Sequence, residues 1–372
     1  MPTRIGILGG GQLGQMLAQA GARIGVECRC YDPDPQACAS LACECVTAPF
    51  EDDARLLEFA RGCDVLTYEF ENVPVSAVRV AERACPVAPG PACLEIAQDR
   101  GREKAFFVRS GLDVPPYKLV DSLHTLSGAA EELHLPCVLK SRRGGYDGKG
   151  QAVVRSATDL AAAWHAVGQR PSIIERMVPF TRELSVLAVR SQAGDFAHYP
   201  LVENTHTGGI LRVSRAPAPG VSPIVERDAV AHVRTLMNAL QYVGVLAVEL
   251  FEVDGRLLAN EMAPRVHNSG HWTIEGARTS QFENHLRAVA GLPLGDCAAV
   301  GPSVMINFIG NVPDATTINA VRGAHAHIYG KAGRPGRKVG HATVVGVDRQ
   351  QFTDIDEQVR TLQSMATACD VA

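Results

Sequence analysis

The stretch Asn260-Glu-Met-Ala-Pro-Arg-Val-His-Asn-Ser-Gly-His271 sets a carboxylate, a guanidinium, two imidazoles and a carboxamide on one short segment. Upstream, Val245-Leu-Ala-Val-Glu-Leu-Phe251 alternates like a strand, and Val253-Asp-Gly255 reads as a hairpin turn ahead of Leu257 and Leu258. In that hairpin Glu249 and Glu261 fall nearly opposite each other. Two like charges so close are unfavourable unless a cation lies between them. A pair of carboxylates completed by phosphate oxygens suits Mg²⁺. Solvated surface acids are the plainer alternative, but Leu246, Val248, Leu250 and Phe251 make the surroundings of Glu249 too apolar for that.

A second cluster is Leu139-Lys-Ser-Arg-Arg-Gly-Gly-Tyr-Asp-Gly-Lys-Gly-Gln151. It is not a P-loop, because Arg143 stands where that motif's first glycine belongs and Gly150 replaces its Ser or Thr. Glycines flanked by Arg and Lys, with a strand on either side, read as a flap over phosphates. Lys140, ending the apolar Val138–Leu139 strand, faces an anion. Ile173-Ile-Glu-Arg-Met-Val178 puts Glu175 at a strand end before an apolar linker, where backbone groups can hold adenine and a carboxylate the ribose.

Gly9-x-Gly11-x-x-Gly14, followed by Asp32, matches the dinucleotide fingerprint. The rest of the chain offers no hydride-acceptor constellation. The turn is therefore read as a small-anion site, with Gln12 and Leu13 pointing into a cleft. Tyr329-Gly-Lys-Ala-Gly-Arg-Pro-Gly-Arg-Lys-Val-Gly-His341 alternates glycines with cations and reads as a further anion site, the alternative being a solvated basic loop.

These groups need a scaffold. Strands at Arg4–Leu8, Glu27–Tyr31 and Asp64–Phe70 with helices to about Ala22 and over Val75–Ala84 give a βαβ rhythm and a doubly wound parallel sheet. Pro86, Pro89, Gly90 and Pro91 mark a boundary near residue 95. A helix over Asp99–Gly111, strands Pro136–Lys140, Ala152–Val154 and Ser172–Arg176, and a helix over Thr158–Val167 form a second unit. A third runs from Glu183 to about Leu292, and the chain from Ser303 is strand-rich.

The chain has 372 residues, 46% hydrophobic and 20% charged, with a net charge of −4, so nothing points to nucleic acid or anionic membranes. Residues 1–10 read as a first strand and not a signal peptide, and no apolar run approaches membrane-spanning length. The 11 cysteines include Cys28, Cys30, Cys38, Cys43 and Cys45 close together. Lacking paired C-x-x-C spacing, they read as small buried thiols in a reducing cytoplasm.

These pieces, in this order, resemble the ATP-grasp superfamily. Within it, Gly9-Gly-Gly-Gln-Leu-Gly14, Glu69-Phe-Glu-Asn72, Gly144-Gly-Tyr-Asp-Gly-Lys-Gly-Gln151, His206-x-x-Gly-Ile-Leu-Arg212, Asn260–His271 and Arg334–His341 are similar to the 5-(carboxyamino)imidazole ribonucleotide synthetase family. The resemblance runs from about residue 4 to about 345. It implies an N-terminal pre-ATP-grasp α/β domain (1–97), a small α+β subdomain with the flap (98–180), and a large α+β subdomain carrying the metal site and a strand-rich C-terminal part (181–372). It also implies ligation of bicarbonate to aminoimidazole ribonucleotide at the expense of ATP and Mg²⁺, with neither NAD nor biotin, by a cytoplasmic homodimer.

Residue by residue, the resemblance assigns Arg100 and Lys140 to the ATP phosphates and Gly145, Tyr146, Asp147, Gly148, Lys149, Gly150 and Gln151 to the flap. Glu175, Arg176, Met177 and Val178, joined by Glu183, His206, Asn260 and Glu261, complete the nucleotide site. Glu249 and Glu261 carry Mg²⁺. Arg265, His267 and Asn268 hold bicarbonate and then carboxyphosphate. Gln12, Leu13, Glu69, Tyr146 and Asp147 embrace the aminoimidazole, with Asp147 or Glu69 as proton acceptor. Lys331, Arg337 and Lys338 clamp the 5′-phosphate. A formate-dependent glycinamide ribonucleotide formyltransferase of the same fold remains an alternative, as do an NAD(P)-binding oxidoreductase and an inactive scaffold.

Overall fold

A computed structural model describes residues 2–145, 150–314, 316, 318 and 320–346. Its N-terminal sheet is parallel, with strands in the order Glu44–Thr47, Glu27–Asp32, Arg4–Leu8, Val65–Tyr68. Ile5, Ile7 and Leu8 are fully buried, as befits a central strand covered on both faces. The last strand is shorter than the sequence suggests, because Glu69 and Phe70 leave the ladder to pack on the glycine turn. The helix expected over Val75–Ala84 spans Val75–Glu82. Where proline punctuation implies only a boundary, a helix runs over Pro91–Ala97. Pro91 starts that helix instead of breaking one, since a first-turn residue needs no N–H partner.

The small subdomain is an antiparallel sheet ordered Tyr117–Val120, Ser172–Arg176, Cys137–Ser141, Gln151–Val154. Its first strand and the helix Leu123–Leu133, capped by Ser122, lie in a stretch whose sequence pattern is weak. The expected helix over Thr158–Val167 divides into a tight turn, Ala157–Asp159, and the helix Leu160–Ala166. The segments after residue 180 build one nine-stranded sheet. Strands Arg256–Ala263, Gly244–Val253, Arg182–Arg190, Val202–Thr207 and Ile210–Ala216 continue directly into Ser303–Gly310, Arg334–Val345 and Ala324–Ile328, and the short strand Phe196–His198 pairs with Arg182–Arg190. The strand-rich C-terminal part thus extends the large sheet, with Val213 paired to Ile306.

Helix Gln281–Val289 fastens this sheet to the N-terminal one. The backbone N–H of Val245 donates to His285 Nδ1 at 3.1 Å, which leaves Nε2–H to donate to Thr67 Oγ1 at 2.8 Å. Burial pushes His285 down to about 4, so it stays neutral. Around it Ile5, Leu17, Val26, Val245, Phe282 and Leu286 form one continuous core. No described helix is long and apolar enough to cross a membrane.

Candidate active site

The two-residue turn Asp254-Gly255 has positive φ at both positions (50° and 73°), the geometry that matches the twist of a tight hairpin. It pairs Val253 with Arg256 and Leu250 with Ala259, and a β-bulge beyond Leu250 then shifts the register by one residue so that Glu249 faces Glu261. The two acids are not equivalent. Burial would raise Glu261, but Arg100, donating to it at 2.7 Å, holds it down to about 2. Burial and the charge of Glu261 push Glu249 up to about 7. A third acid, Glu103, accepts the N–H of Met262 at 2.7 Å and is pushed up to about 8, chiefly by burial and then by Glu261. Glu249 and Glu103 are thus pushed toward the protonated form beside an ionised Glu261, and a cation would ionise Glu249.

Beside the hairpin lies a basic floor. Lys140 reaches Glu175 at 3.1 Å and Asn260 Oδ1 at 3.4 Å. Lys104, only 1% exposed, reaches Glu175 at 3.4 Å and the Asn260 carbonyl at 2.8 Å. Burial would raise Glu175, but Lys140, Lys104 and Arg100 hold it at about 2. Its Oε1 is buried with no hydrogen-bond partner among the described residues. Arg176 and Met177 are exposed and Val178 half-buried at the subdomain junction. Asp99 caps the helix that bears Arg100 and is gripped by Arg142 at 2.8–3.1 Å, so the root of the flap is anchored to the same helix. A Cβ on Gly150 would meet Ser141 Oγ at 2.6 Å, and its φ is +70°. Of the flap, Gly145, Gly150 and Gln151 are described, while Tyr146, Asp147, Gly148 and Lys149 lie outside the described residues.

His267 sits 3.4 Å from Glu249 through Nε2. Its tautomer can be read from a buried chain of donors. Ser214 donates to Asn204 Oδ1 (2.8 Å), Asn204 Nδ2 to Ser185 Oγ (3.0 Å), Ser185 to Ser269 Oγ (2.8 Å), and Ser269 Oγ lies 2.9 Å from His267 Nδ1. The backbone N–H of Ser269 also points at Nδ1, at 3.3 Å. Nδ1 therefore accepts and Nε2 carries the hydrogen. Burial, helped by Arg265, lowers His267 to about 3, so it is a neutral donor. Asn268 and Asn307 exchange amide hydrogen bonds at 3.0 and 2.6 Å. Burial would lower His206; Glu183 at 2.7 Å outweighs it and raises the imidazole.

Arg265 pairs with Glu71 and donates to the Val266 carbonyl at 2.8 Å. The glycine turn serves an anion that the chain itself supplies. Glu69 accepts the N–H groups of Gly11 (2.9 Å), Leu13 and Gly14 (both 3.1 Å), and Asp32 accepts that of Gly10 at 2.6 Å. A Cβ on Gly11 would strike Glu69 Oε1 at 2.4 Å. The reading of the turn as a binder of a free small anion is corrected accordingly, since those donors are spent. Burial raises Glu69 against these hydrogen bonds. Leu13 is buried in the core, whereas Gln12 accepts from Lys331 across the cleft. Arg337 is half-buried and donates to the Ala332 carbonyl at 3.2 Å. The charge of Lys338, also half-buried, is felt by Glu249 and His267.

Sequence reasoning misses Lys104, Glu103, Glu71 and Ser269. Lys104 has a usable signal: it follows Arg100 by four residues and so shares its helix face.

Residues 1–98 match the ribonucleotide synthetase preATP-grasp domain, residues 105–282 the ATP-grasp domain, and residues 303–354 the phosphoribosylaminoimidazole carboxylase C-terminal domain. The N5-carboxyaminoimidazole ribonucleotide synthase of Pseudomonas aeruginosa is 50% identical over 346 residues, covering 93% of this chain and 95% of that protein. The crystal structure of the Thermus thermophilus synthetase superposes with a TM-score of 0.92 at 52% identity, covering 97% of this chain and 98% of that one. That of the Aspergillus clavatus synthase, in complex with ADP and 5-aminoimidazole ribonucleotide, gives 0.90 at 30% identity, with coverage of 98% and 99%.

Proposed function

The chain belongs to the N5-carboxyaminoimidazole ribonucleotide synthase family of ATP-grasp ligases, and on that premise we propose how its own residues carry out the reaction. It is an ATP-dependent carbon–nitrogen ligase of purine biosynthesis that carboxylates 5-aminoimidazole ribonucleotide. The carboxyl donor is bicarbonate, activated as carboxyphosphate. Arg100 and Lys140 hold the ATP phosphates beneath the flap of residues 145–151. Glu175, with its unpartnered oxygen, takes the ribose, and Arg176 to Val178 border the adenine. Glu183 holds His206 toward the nucleotide, and Asn260 steadies Lys140.

The residues fit Mg²⁺, because Glu249 facing Glu261 at a half-buried position is a pair of oxygen donors whose mutual repulsion a cation would relieve. Glu249 and Glu261 would hold it, and bound there it screens phosphate charge against an attacking anion. Arg265, oriented by Glu71, offers a planar guanidinium to bicarbonate. His267 presents Nε2–H, and Asn268, fixed by Asn307, presents its amide, so both stabilise charge that develops on the transferred carboxyl. Gln12, Tyr146 and Asp147 contact the aminoimidazole, while Leu13 and Glu69 shape the wall behind it. Asp147 or Glu69 accepts the proton from the amine. Lys331, Arg337 and Lys338 take the 5′-phosphate. The chain acts as a homodimer in the cytoplasm.

The observation that carries this reading is the Glu249–Glu261 pair set between a basic floor and the His267 donor. Phosphate release from ATP should require bicarbonate, Mg²⁺ and aminoimidazole ribonucleotide together. Release stimulated equally by formate and glycinamide ribonucleotide would overturn it.

A further inference from the structure

Cys30, Cys43 and Cys45 take no part in the ligase site, yet their sulfurs gather within 4.8 Å of one another at the edge of the N-terminal sheet. Cys30 and Cys45 are register partners on adjacent parallel strands, which puts both side chains on one face. Cys43 reaches in from the turn after Cys38–Leu41, held by its N–H to the Ala39 carbonyl at 3.0 Å, and its sulfur is 3.4 Å from that of Cys30. Cys30 is fully buried while Cys43 and Cys45 are half-buried, so the group has a floor and an entrance. The five cysteines are free thiols, three of them buried and two half-buried, and three of the five converge. Parallel register does what a C-x-x-C spacing would do in a loop.

We propose that Cys30, Cys43 and Cys45 form a three-thiolate site for one soft, thiophilic cation, cuprous copper or zinc. Metal–sulfur bonds of ~2.3 Å place three sulfurs around one ion ~3.8–4.0 Å apart, so the observed spacing needs only small rotamer changes. A disulfide would instead draw two sulfurs to ~2.05 Å and leave the third unpaired. Among the described residues no fourth His, Cys, Asp or Glu joins the group. Three thiolates alone suit cuprous copper; zinc would add a water on the half-buried side. The ion displaces a proton from each thiol that binds it, with no change of oxidation state.

The test is anaerobic titration of the reduced full chain with Cu(I), and separately with Zn(II), each against a competing chromophoric chelator. One ion should bind per chain, with a sulfur-to-metal charge-transfer band. Cys45→Ser and Cys43→Ser should each weaken binding by more than ~100-fold, beyond what loss of an outer-shell partner costs. Cys63→Ser, whose thiol instead meets the Phe59 carbonyl at 3.4 Å, should bind as wild type. Phosphate release by the metal-free variants verifies that each is folded. Uptake of copper alone marks a trigonal site, and uptake of both ions marks one completed by water. Absence of stoichiometric uptake, unchanged affinity in Cys45→Ser, or a Cys30–Cys43 disulfide in the anaerobically purified chain would each overturn the proposal.

Discussion

The two sides of the cleft, one proposed for the nucleotide and the other for the ribonucleotide, are built on opposite electrostatic plans. On the nucleotide side each cation leans on an acid: Arg100 on Glu261, Lys140 and Lys104 on Glu175, Arg142 on Asp99. Opposed charges hold those side chains in place before ATP arrives, so little ordering is left to do. On the ribonucleotide side Arg337 and Lys338 are half-buried, and Lys331 rests on the neutral Gln12. Burial lowers Lys331, outweighing the opposing charge of Glu69. The first side is preorganised by its own ion pairs, whereas Lys331 on the second is held by a neutral amide. Affinity on the second side should thus depend more steeply on single cations.

The largest test of this contrast falls on the hairpin. Glu249→Gln and Glu261→Gln should each reduce kcat for phosphate release by ~10²-fold or more with unchanged far-UV circular dichroism. Near-normal turnover in both would break the metal assignment. Next comes Arg337→Ala, which should raise the KM for aminoimidazole ribonucleotide by ~2 kcal/mol worth of lost charge-assisted contact while leaving the KM for ATP alone. Equal loss for both substrates would erase the distinction between the two sides.

A third test uses pH. Glu249 has a folded value of about 7 against an ordinary 4.5, so the folded chain binds more protons than the unfolded one between those values. The stability of the chelator-treated chain should therefore fall as pH rises through that window, and Glu103 adds a loss of the same sign up to about 8. Glu249→Gln should be the more stable protein at pH 8, by ~2–3 kcal/mol, in urea unfolding, and indistinguishable near pH 4. A gap independent of pH would show that the pair carries no such strain. The smallest effect is at Ser269→Ala, which removes one of two donors to His267 Nδ1. A fall in kcat of about tenfold with both KM values steady is expected, and a change in KM alone would remove the tautomer from the mechanism.

The part of this site that the sequence makes legible is local. Alternation plus Asp254-Gly255 brings Glu249 near Glu261, because a two-residue turn fixes register, but that register alone sets Glu249 across from Asn260; the bulge beyond Leu250 that makes the two acids face each other is not legible in the pattern. Lys140 is legible because a lysine closes an apolar strand. Glu71 and Ser269 are not, since their partners Arg265 and Ser185 stand 194 and 84 residues away and only tertiary packing joins them. The cysteine group fails for the same reason, as no sequence pattern records which parallel strands become neighbours. The continuation of the large sheet into Ser303–Gly310 is likewise a pairing between distant strands.

The core that helix Gln281–Val289 shares with the N-terminal sheet has a consequence for the timing of synthesis. Leu13, Met16 and Leu17 on helix Gln12–Arg23 are among the first apolar residues to leave the ribosome, yet Phe282 and Leu286, which cover them, are among the later ones. At ~5–20 residues per second the nascent face is uncovered for roughly ten to fifty seconds. The N-terminal α/β unit, a domain by its pattern, is therefore a client in waiting during translation. A ribosome-stalled chain ending near residue 180 should be held by chaperones or aggregate, whereas one stalled past residue 300 should release the same segment as protease-resistant.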